Sequence, residues 1–330
     1  MAKRFQSYDS LPATLRGGVV AIGNFDGVHR GHRAVLNAAL DYARQHDCPA
    51  LVMTFEPHPR QVFKPDEPLF RVTPTAMKAE ILGILGFDGV LEIPFTLDFA
   101  RKSADEFVRD VLIDGLAAVR VVTGFDFHFG HNRQGGPAYL MEAGAANGFE
   151  VTLVDAFRDR DTEVVSSSRI REELLAGDLA GANELLGYRY RVAGEVIRGK
   201  QLGRTLGYPT ANMAMAENAA LRHGIYAVRF RRADGNTYDG VASFGRRPTV
   251  DDDGVALLET HVFDRDDDLY GEICTVSFCA FLRGEEKFDN LEALTAQMKR
   301  DDEQARAILA DIDPLSDLDR VLTLSGANAV

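Results

Sequence analysis

The sequence predicts two domains: an α/β unit built on a Rossmann-like parallel sheet, then an antiparallel β-barrel with a helix at its C-terminal end. Three observations predict this. The chain has 330 residues, 45% of them hydrophobic, which is enough for two separate cores. Its first half alternates apolar strand patterns with helical ones, the signature of strand–helix–strand units and a parallel sheet. From about Tyr188 the pattern becomes short alternating strands with turn signals such as "ADGN".

The elements follow in order. "GGVVAIGNF", "PALVMTFEP", "FDGVLEIPF", "AVRVVTGFDF" and "FEVTLVDAF" read as strands. Between them lie the helical patterns "GHRAVLNAALDYARQH", "TPTAMKAEILGILG", "SADEFVRDVLIDGL" and "GPAYLMEAGAANG". A helix "SSSRIREELLAG" follows, then "DLAGANELLG", a shorter helical stretch read as the linker, with the domain boundary at residues 186/187. "YRYRVAGEVIRG", "GIYAVRFRRADGNTYDGVASFG", "ALLETHVFD" and "EICTVSFCAFLRG" are the barrel strands. "NLEALTAQMKRDDEQARAILADI" is an amphipathic helix expected to pack on the barrel. A parallel sheet binds ligands beyond the carboxyl ends of its strands, where "GNFDG", "TFEPHPR" and "GFDFHFG" fall.

The formal net charge is −13. Acidic surfaces repel nucleic acid and anionic membranes, so neither is an expected partner. The cysteines are Cys48, Cys274 and Cys279, without a CxxC pair, which suits a reducing compartment. The first residues lack the apolar core of a signal peptide, and no window approaches a twenty-residue apolar span. The expectation is a cytoplasmic protein.

"GNFDGVHRGH", residues 23–32, stands where a strand hands over to a helix. Neither Walker A spacing nor GxGxxG occurs in the chain. Gly23 and Gly27 would let backbone approach a ligand, and the helix start offers unpaired N–H groups. His29 and His32 are three apart and share a face, from which they can donate hydrogen bonds to a phosphate. The bland reading is a glycine-rich turn with two surface histidines. In "VVSSSRIREE", Ser166, Ser167 and Ser168 stand at a helix start with Arg169 and Arg171 in its first turn. Serines cap helices well, but cations there oppose the helix dipole, which points to an anion between them.

"GKQLGRTLGYPTAN", residues 199–212, reads as a glycine-rich basic loop able to cover phosphates with backbone N–H groups. Thr210 and Asn212 offer oxygens that suit Mg²⁺. A plain glycine-rich hairpin loop is the other reading. The acidic run "DRDDDLYGE" fails the EF-hand pattern, having Leu269 and Thr275 where Gly and Glu are required, and reads as a solvated turn. Cys274 and Cys279 lie on a predicted strand as packing residues.

"GNFDGVHRGH" resembles the HxGH signature of the nucleotidyltransferase superfamily, and "SSSRIR" its ISSTxxR signature. With "TFEPHPR" and "GFDFHFGHNRQGG", the first domain resembles the FMN adenylyltransferase module of bacterial bifunctional riboflavin kinase/FAD synthetases. "GKQLGRTLGYPTAN", "GVASFGRRPTV", "LETHVFD", "DLYGE" and "FLRGEEKFDNLEAL" resemble the riboflavin kinase family. The resemblance implies an enzyme that phosphorylates riboflavin to FMN with ATP and then adenylates FMN to FAD, releasing pyrophosphate.

It implies that His29 and His32 stabilise the α-phosphate of ATP and that Ser166, Ser167 and Arg171 hold pyrophosphate. Asn24, Phe25 and Asp26 would shape the nucleotide pocket, Asp126 would contact the adenosine end, and His58 and Pro59 would lie near the flavin. In the second domain Glu259 would be the catalytic base. Gly199, Lys200, Gly203, Arg204, Gly207 and Pro209 would bind nucleotide and flavin, with Thr210 and Asn212 on Mg²⁺. Three positions depart from the family: Ser168 replaces the usual Thr, His128 the more usual Arg, and Ser243 a common Asn. Two other functions are compatible with these residues: an enzyme with one live activity, and a flavin-binding regulator.

Overall fold

Every residue of the apolar run Val19–Ile22 is buried, which requires cover on both faces of its strand. The computed structural model describes residues 2–199, 207–216, 218–246, 256–265 and 267–326. The chain divides into two compact units, Met1–Ser167 and Ser168–Val330.

The first unit holds six strands: β1 (Lys3–Phe5), β2 (Val19–Ile22), β3 (Ala50–Glu56), β4 (Gly89–Pro94), β5 (Arg120–Gly124) and β6 (Glu150–Val154). Their order is β1-β4-β3-β2-β5-β6, and every pairing is parallel. The parallel α/β expectation is met. The strand β1 was not legible in the sequence because it is three residues long with an exposed edge. Its Arg4 forks onto Glu92 of β4 at 3.0 and 2.9 Å, neutralising a carboxylate that is 4% exposed.

Helices connect the strands. Arg30–His46 buries Val35, Leu36, Ala39, Leu40 and Ala43, one face at helical spacing. Thr75–Leu85 and Pro137–Asn147 follow the expected ranges. "SADEFVRDVLIDGL" starts with a Ser103/Glu106 capping box and continues as wider π turns over Phe107–Gly115. From β2 the chain builds β3 and β4 to one side, then returns to place β5 on the other. The carboxyl end of β2 is therefore a topological switch point, where open α/β sheets bind ligands.

The second unit holds β7 (Arg191–Glu195), β8 (Ala211–Ala214), β9 (Gly224–Arg231), β10 (Thr237–Arg246), β11 (Ala256–Val262) and β12 (Ile273–Arg283). They run antiparallel in the order β7-β12-β9-β10-β11-β8. The Ile197 N–H donates to the Asn212 carbonyl at 2.8 Å, bridging the two outer strands and closing the barrel. The helix Leu291–Ala310 lays Ala305 and Leu309 on Ala227 and Phe263, as expected. Cys274 and Cys279 pack in β12, where burial pushes their thiols up to about 11 and about 12.

Two expectations need correction. Residues 199–212 are not wholly loop: Ala211–Ala214 is strand β8, paired with β11. Residues 179–186 are no free linker, since the helix Leu179–Leu186 buries Leu185 and Leu186 in the second unit. Asn183 accepts from the Tyr190 N–H at 2.7 Å and donates to the Phe278 carbonyl at 3.2 Å. A fragment starting at Tyr188 loses both bonds, leaving buried groups unpaired at ~1–3 kcal/mol each. Fragment 168–330 should therefore melt several degrees above fragment 188–330 by circular dichroism, and equal midpoints would show that this helix adds nothing.

Candidate active sites

The first site is the loop of residues 23–29 between β2 and the helix Arg30–His46. Its backbone is unusual. Phe25 (φ +49°) and Val28 (φ +38°) are non-glycine residues in the left-handed region, and Gly27 lies at φ +92°. Phe25 is 2% exposed, and a Cβ on Gly23 would lie 2.9 Å from its ring. Gly23 thus admits a protein ring rather than a ligand. Phe25 in turn meets the His32 ring edge-on at 5.4 Å.

The Asp26 carboxylate is 1% exposed and accepts from the Val72 and Thr73 N–H groups at 3.2 and 3.0 Å. It fixes the loop from inside. Thr73 Oγ1 accepts from the Gly27 N–H at 2.7 Å. The Asn24 carbonyl accepts from Thr54 Oγ1 at 3.1 Å and from Lys78 Nζ at 3.2 Å. The buried Asn24 Oδ1 has no hydrogen-bond partner among the described residues.

His29 is the N-cap of the helix, and its Nδ1 accepts from the His32 N–H at 3.2 Å. In the neutral ring the proton therefore sits on Nε2. The His29 and His32 rings stack at 3.5 Å and 18°. Burial, aided by the Lys78 charge, holds the His32 imidazole down at about 3. His32 is therefore neutral near pH 7. Its Nδ1 is buried without a hydrogen-bond partner among the described residues. Asn24 Oδ1 in the loop and His32 Nδ1 in the first turn of the helix are thus two buried polar atoms without partners among the described residues.

The other expected residues are distributed as follows. Ser167 opens the helix Ser167–Ala176, and its Oγ donates to the Asp26 carbonyl at 2.8 Å, anchoring that helix start to the loop. Ser166 precedes it, and Ser168 and Arg171 lie on the helix. His58 caps the short helix Pro59–Phe63, accepting from the Arg60 N–H at 3.1 Å, and Pro59 is that helix's first residue. Asp126 is exposed just past β5. At His128 the Nδ1 lies 2.8 Å from the Asp126 carbonyl and 3.3 Å from Arg133 Nη2, so a guanidinium reaches this position from nearby in the loop.

Sequence reasoning missed a charged cluster beneath the loop. Glu56 accepts from Arg71 at 2.9 Å twice and from Lys78 at 2.8 Å. Burial would push its carboxyl up, but Arg71 and Lys78 overcome this and hold it down at about 2. The one local signal was a lysine on the apolar face of "AMKAEILG".

Acid should weaken this unit. His32 folds with a pKa below its ordinary 6.5, so its contribution is full above 6.5 and lost as pH falls toward about 3. Glu56 acts in the same sense between 4.5 and about 2. Thermal melts should show the midpoint falling from pH 6.5 to 4, less steeply in His32→Gln; identical slopes would contradict the depressed imidazole.

The second site lies on the barrel. Register places Glu259 opposite Asn212 of β8 and Ser243 of β10. Cross-strand partners share a face, so the three form one row. Asn212 is 4% exposed, and its Nδ2 donates to the Thr210 carbonyl at 3.1 Å and to Thr210 Oγ1 at 3.3 Å. A Cβ on Gly199 would lie 2.6 Å from Asn212 Oδ1, so this glycine makes room for the amide. Gly207 lies at φ +83°. The Pro209 carbonyl faces His261 Nδ1 at 2.9 Å, a contact the sequence did not foretell. Lys200, Gly203 and Arg204 lie outside the described residues.

A cavity of about 60 Å³ adjoins Asn212, lined also by Val196, Pro209, Thr210, Thr260 and Tyr270 among others. Asp267 and Asp268, from the acidic run, also line it. Thr260 is fully buried, and its Oγ1 has no hydrogen-bond partner among the described residues. Among those residues no cluster of three His, Cys, Asp or Glu side chains could hold a metal. The oxygens present are those of Thr210, Asn212 and Thr260 and of the Asp267 and Asp268 carboxylates, which suit a hard cation whose other ligands are phosphate and water.

The family described as FAD synthetase matches residues 11–169, and the family described as riboflavin kinase matches residues 186–309. A bifunctional riboflavin kinase/FMN adenylyltransferase of Pseudomonas fluorescens is 41% identical over 295 residues, 89% of this chain and 94% of that protein. The chain belongs to the bifunctional riboflavin kinase/FMN adenylyltransferase family. The Escherichia coli K12 member is 38% identical, covering 89% of this chain and 93% of that protein. A solved structure titled as a macrolide-efflux protein from Streptococcus pneumoniae is 30% identical and superposes with a TM-score of 0.80, covering 92% of this chain and 98% of that one. Among the described residues here, no helix is long and apolar enough to cross a membrane.

This bifunctional enzyme phosphorylates riboflavin to FMN and adenylates FMN to FAD, with ATP as the co-substrate of both reactions. The adenylyltransferase lies N-terminal and the kinase C-terminal.

Proposed function

We propose that the loop of residues 23–29 and His32 form the adenylyl-transfer site. The observation that supports this is the pair of unpartnered buried atoms, Asn24 Oδ1 and His32 Nδ1, beside a helix N-terminus at the sheet's switch point. His29 and His32 donate hydrogen bonds to oxygens of the α-phosphate as an FMN phosphate oxygen attacks phosphorus and pyrophosphate leaves. The step needs positioning and charge stabilisation, not a protein nucleophile. Following the family resemblance, Ser166, Ser167, Ser168 and Arg171 hold the pyrophosphate, Asp126 the adenosine end, and His58 and Pro59 the flavin side. Phe25, Asp26, Gly23 and Gly27 shape the loop itself.

In the barrel, Glu259 takes the proton of the ribityl 5′-hydroxyl as that oxygen attacks the γ-phosphate of ATP and ADP leaves. Its row with Asn212 and Ser243 supports this role. Gly199, Lys200, Gly203, Arg204, Gly207 and Pro209 cover the nucleotide and flavin. Thr210 and Asn212 supply oxygens for Mg²⁺, which when bound neutralises charge on the phosphates. The functional boundary falls at residues 186/187. The three free cysteines fit a cytoplasmic location, and the net charge of −13 disfavours nucleic-acid and anionic-membrane partners.

The test is chromatography of flavins after mixing the chain with riboflavin, ATP and Mg²⁺, with a parallel tube started from FMN. FAD in both tubes supports two working sites in this chain. FMN that accumulates in one and stays unchanged in the other leaves only the kinase. Omitting Mg²⁺ and adding a chelator should stop both conversions.

A further inference from the structure

The helix Thr75–Leu85 buries a lysine among Met77, Ile81 and Leu82. Lys78 is 0% exposed. A buried ammonium costs several kcal/mol unless its protons are all met. Here three acceptors meet three protons: Glu56 Oε1 and Thr54 Oγ1 at 2.8 Å, and the Asn24 carbonyl at 3.2 Å. Two of these belong to β3 and one to the loop that follows β2. Glu56 also takes the Arg71 fork, and Arg71 Nε lies 3.5 Å from Asp26. The cluster thus alternates in sign, from Asp26 through Arg71 and Glu56 to Lys78, and both of its ends reach the loop.

For stability alone, a buried ion pair is no better than apolar packing of equal volume. This one is placed where packing could not serve: an apolar side chain cannot hold a carbonyl. The carbonyl it holds belongs to Asn24, next to the left-handed Phe25 whose ring meets His32. We propose that Lys78 is a positioning residue for adenylyl transfer, pinning the Asn24 carbonyl to β3 so that the Phe25, His32 and His29 rings keep their contacts. The proposal rests on His29 and His32 being the adenylyl-transfer residues. The groups facing His32 are the stacked His29 ring, the edge of Phe25 and the Lys78 charge. Lys78 is also the one cation whose field adds to burial in keeping His32 neutral. Losing it should loosen the loop and let the imidazole protonate more easily.

The experiment uses the full chain with Lys78→Met, and Glu56→Gln/Lys78→Met as a second variant that leaves no uncompensated carboxylate. Conversion of FMN to FAD should fall 10- to 100-fold in kcat, with KM for ATP changed less than threefold and riboflavin phosphorylation at the parental rate. The His32 ring, assigned by comparison with His32→Ala in proton NMR, should titrate at least one pH unit higher than in the parent. Loss of the Lys78 charge alone contributes to that shift, so the readout that a merely structural ion pair would not give is the fall in kcat with KM and riboflavin phosphorylation kept.

Folded variants with parental kcat, or with reduced kcat and an unmoved His32 titration, would overturn the proposal. So would failure of both variants to fold, which would make the cluster a structural ion pair. His32→Ala separates the two levels: if it keeps FAD synthesis, the site reading itself is wrong, and if it loses FAD synthesis while Lys78→Met does not, only the role of Lys78 falls.

Discussion

Glu259→Gln should slow riboflavin phosphorylation by ~10²–10⁴-fold, the usual worth of a general base, and leave the conversion of FMN to FAD untouched. Glutamine has the shape of glutamate but cannot take a proton at neutral pH. Glu259 is only half-buried, on strand β11, where its backbone pairs with β8 and β10 whatever the side chain. The substitution therefore removes chemistry without removing structure, and stability should change by no more than ~0.5 kcal/mol. The two compact units keep the effect local. Steady-state rates from riboflavin and from FMN, measured on the same preparation, check both halves. FMN formation above a tenth of the parental rate would remove Glu259 from the role of base. Parallel loss of both activities would show that the sites are not independent.

His32→Ala should do the converse. Losing one preorganised donor to developing charge costs ~10²–10³-fold in kcat, here for FAD formation alone. His32 is neutral near pH 7, so a neutral amide donor should replace it better than a cation does. His32→Gln should keep more activity than His32→Ala, and His32→Lys should gain nothing over alanine. For the same reason, no limb of the rate profile between pH 5.5 and 8 should arise from His32, whose ring protonates only near about 3. Parental FAD synthesis by His32→Ala would end its assigned role, and rescue by lysine would mean that the ring works as a cation.

Some of this site could be read from the sequence because its signals are local. In "HRGH" the histidines are three apart, so any helix starting there brings them together. They stack at 3.5 Å. The serines at a helix start, the closing amphipathic helix and the alternating strands are likewise properties of short windows. Asp26 and Gly23 were recognised as loop residues, but what each meets was not legible. Whether a carboxylate faces a ligand or the Val72 and Thr73 amides depends on residues 46 and 47 positions away. Whether a glycine makes room for a ligand or a phenyl ring depends on how the loop turns. Strand β8 was hidden in a glycine-rich motif because four residues pair only once β11 lies beside them. The helix Leu179–Leu186 passed for a linker because it is short, and what it buries against comes much later in the chain.

The sequence by itself determined the two fold classes, their order and, through the resemblance of its motifs to two enzyme families, the pair of chemistries. Periodicity and spacing are written within a few turns of one element, and the backbone geometry of helices and strands converts them directly into faces. Only the tertiary structure decided that His32 is neutral, that Lys78 lies beneath the loop in a cluster of alternating charge, and that Glu259 stands between Asn212 and Ser243. Each of these depends on burial or register between segments far apart in the chain. Desolvation and cross-strand pairing come into existence only when those segments meet.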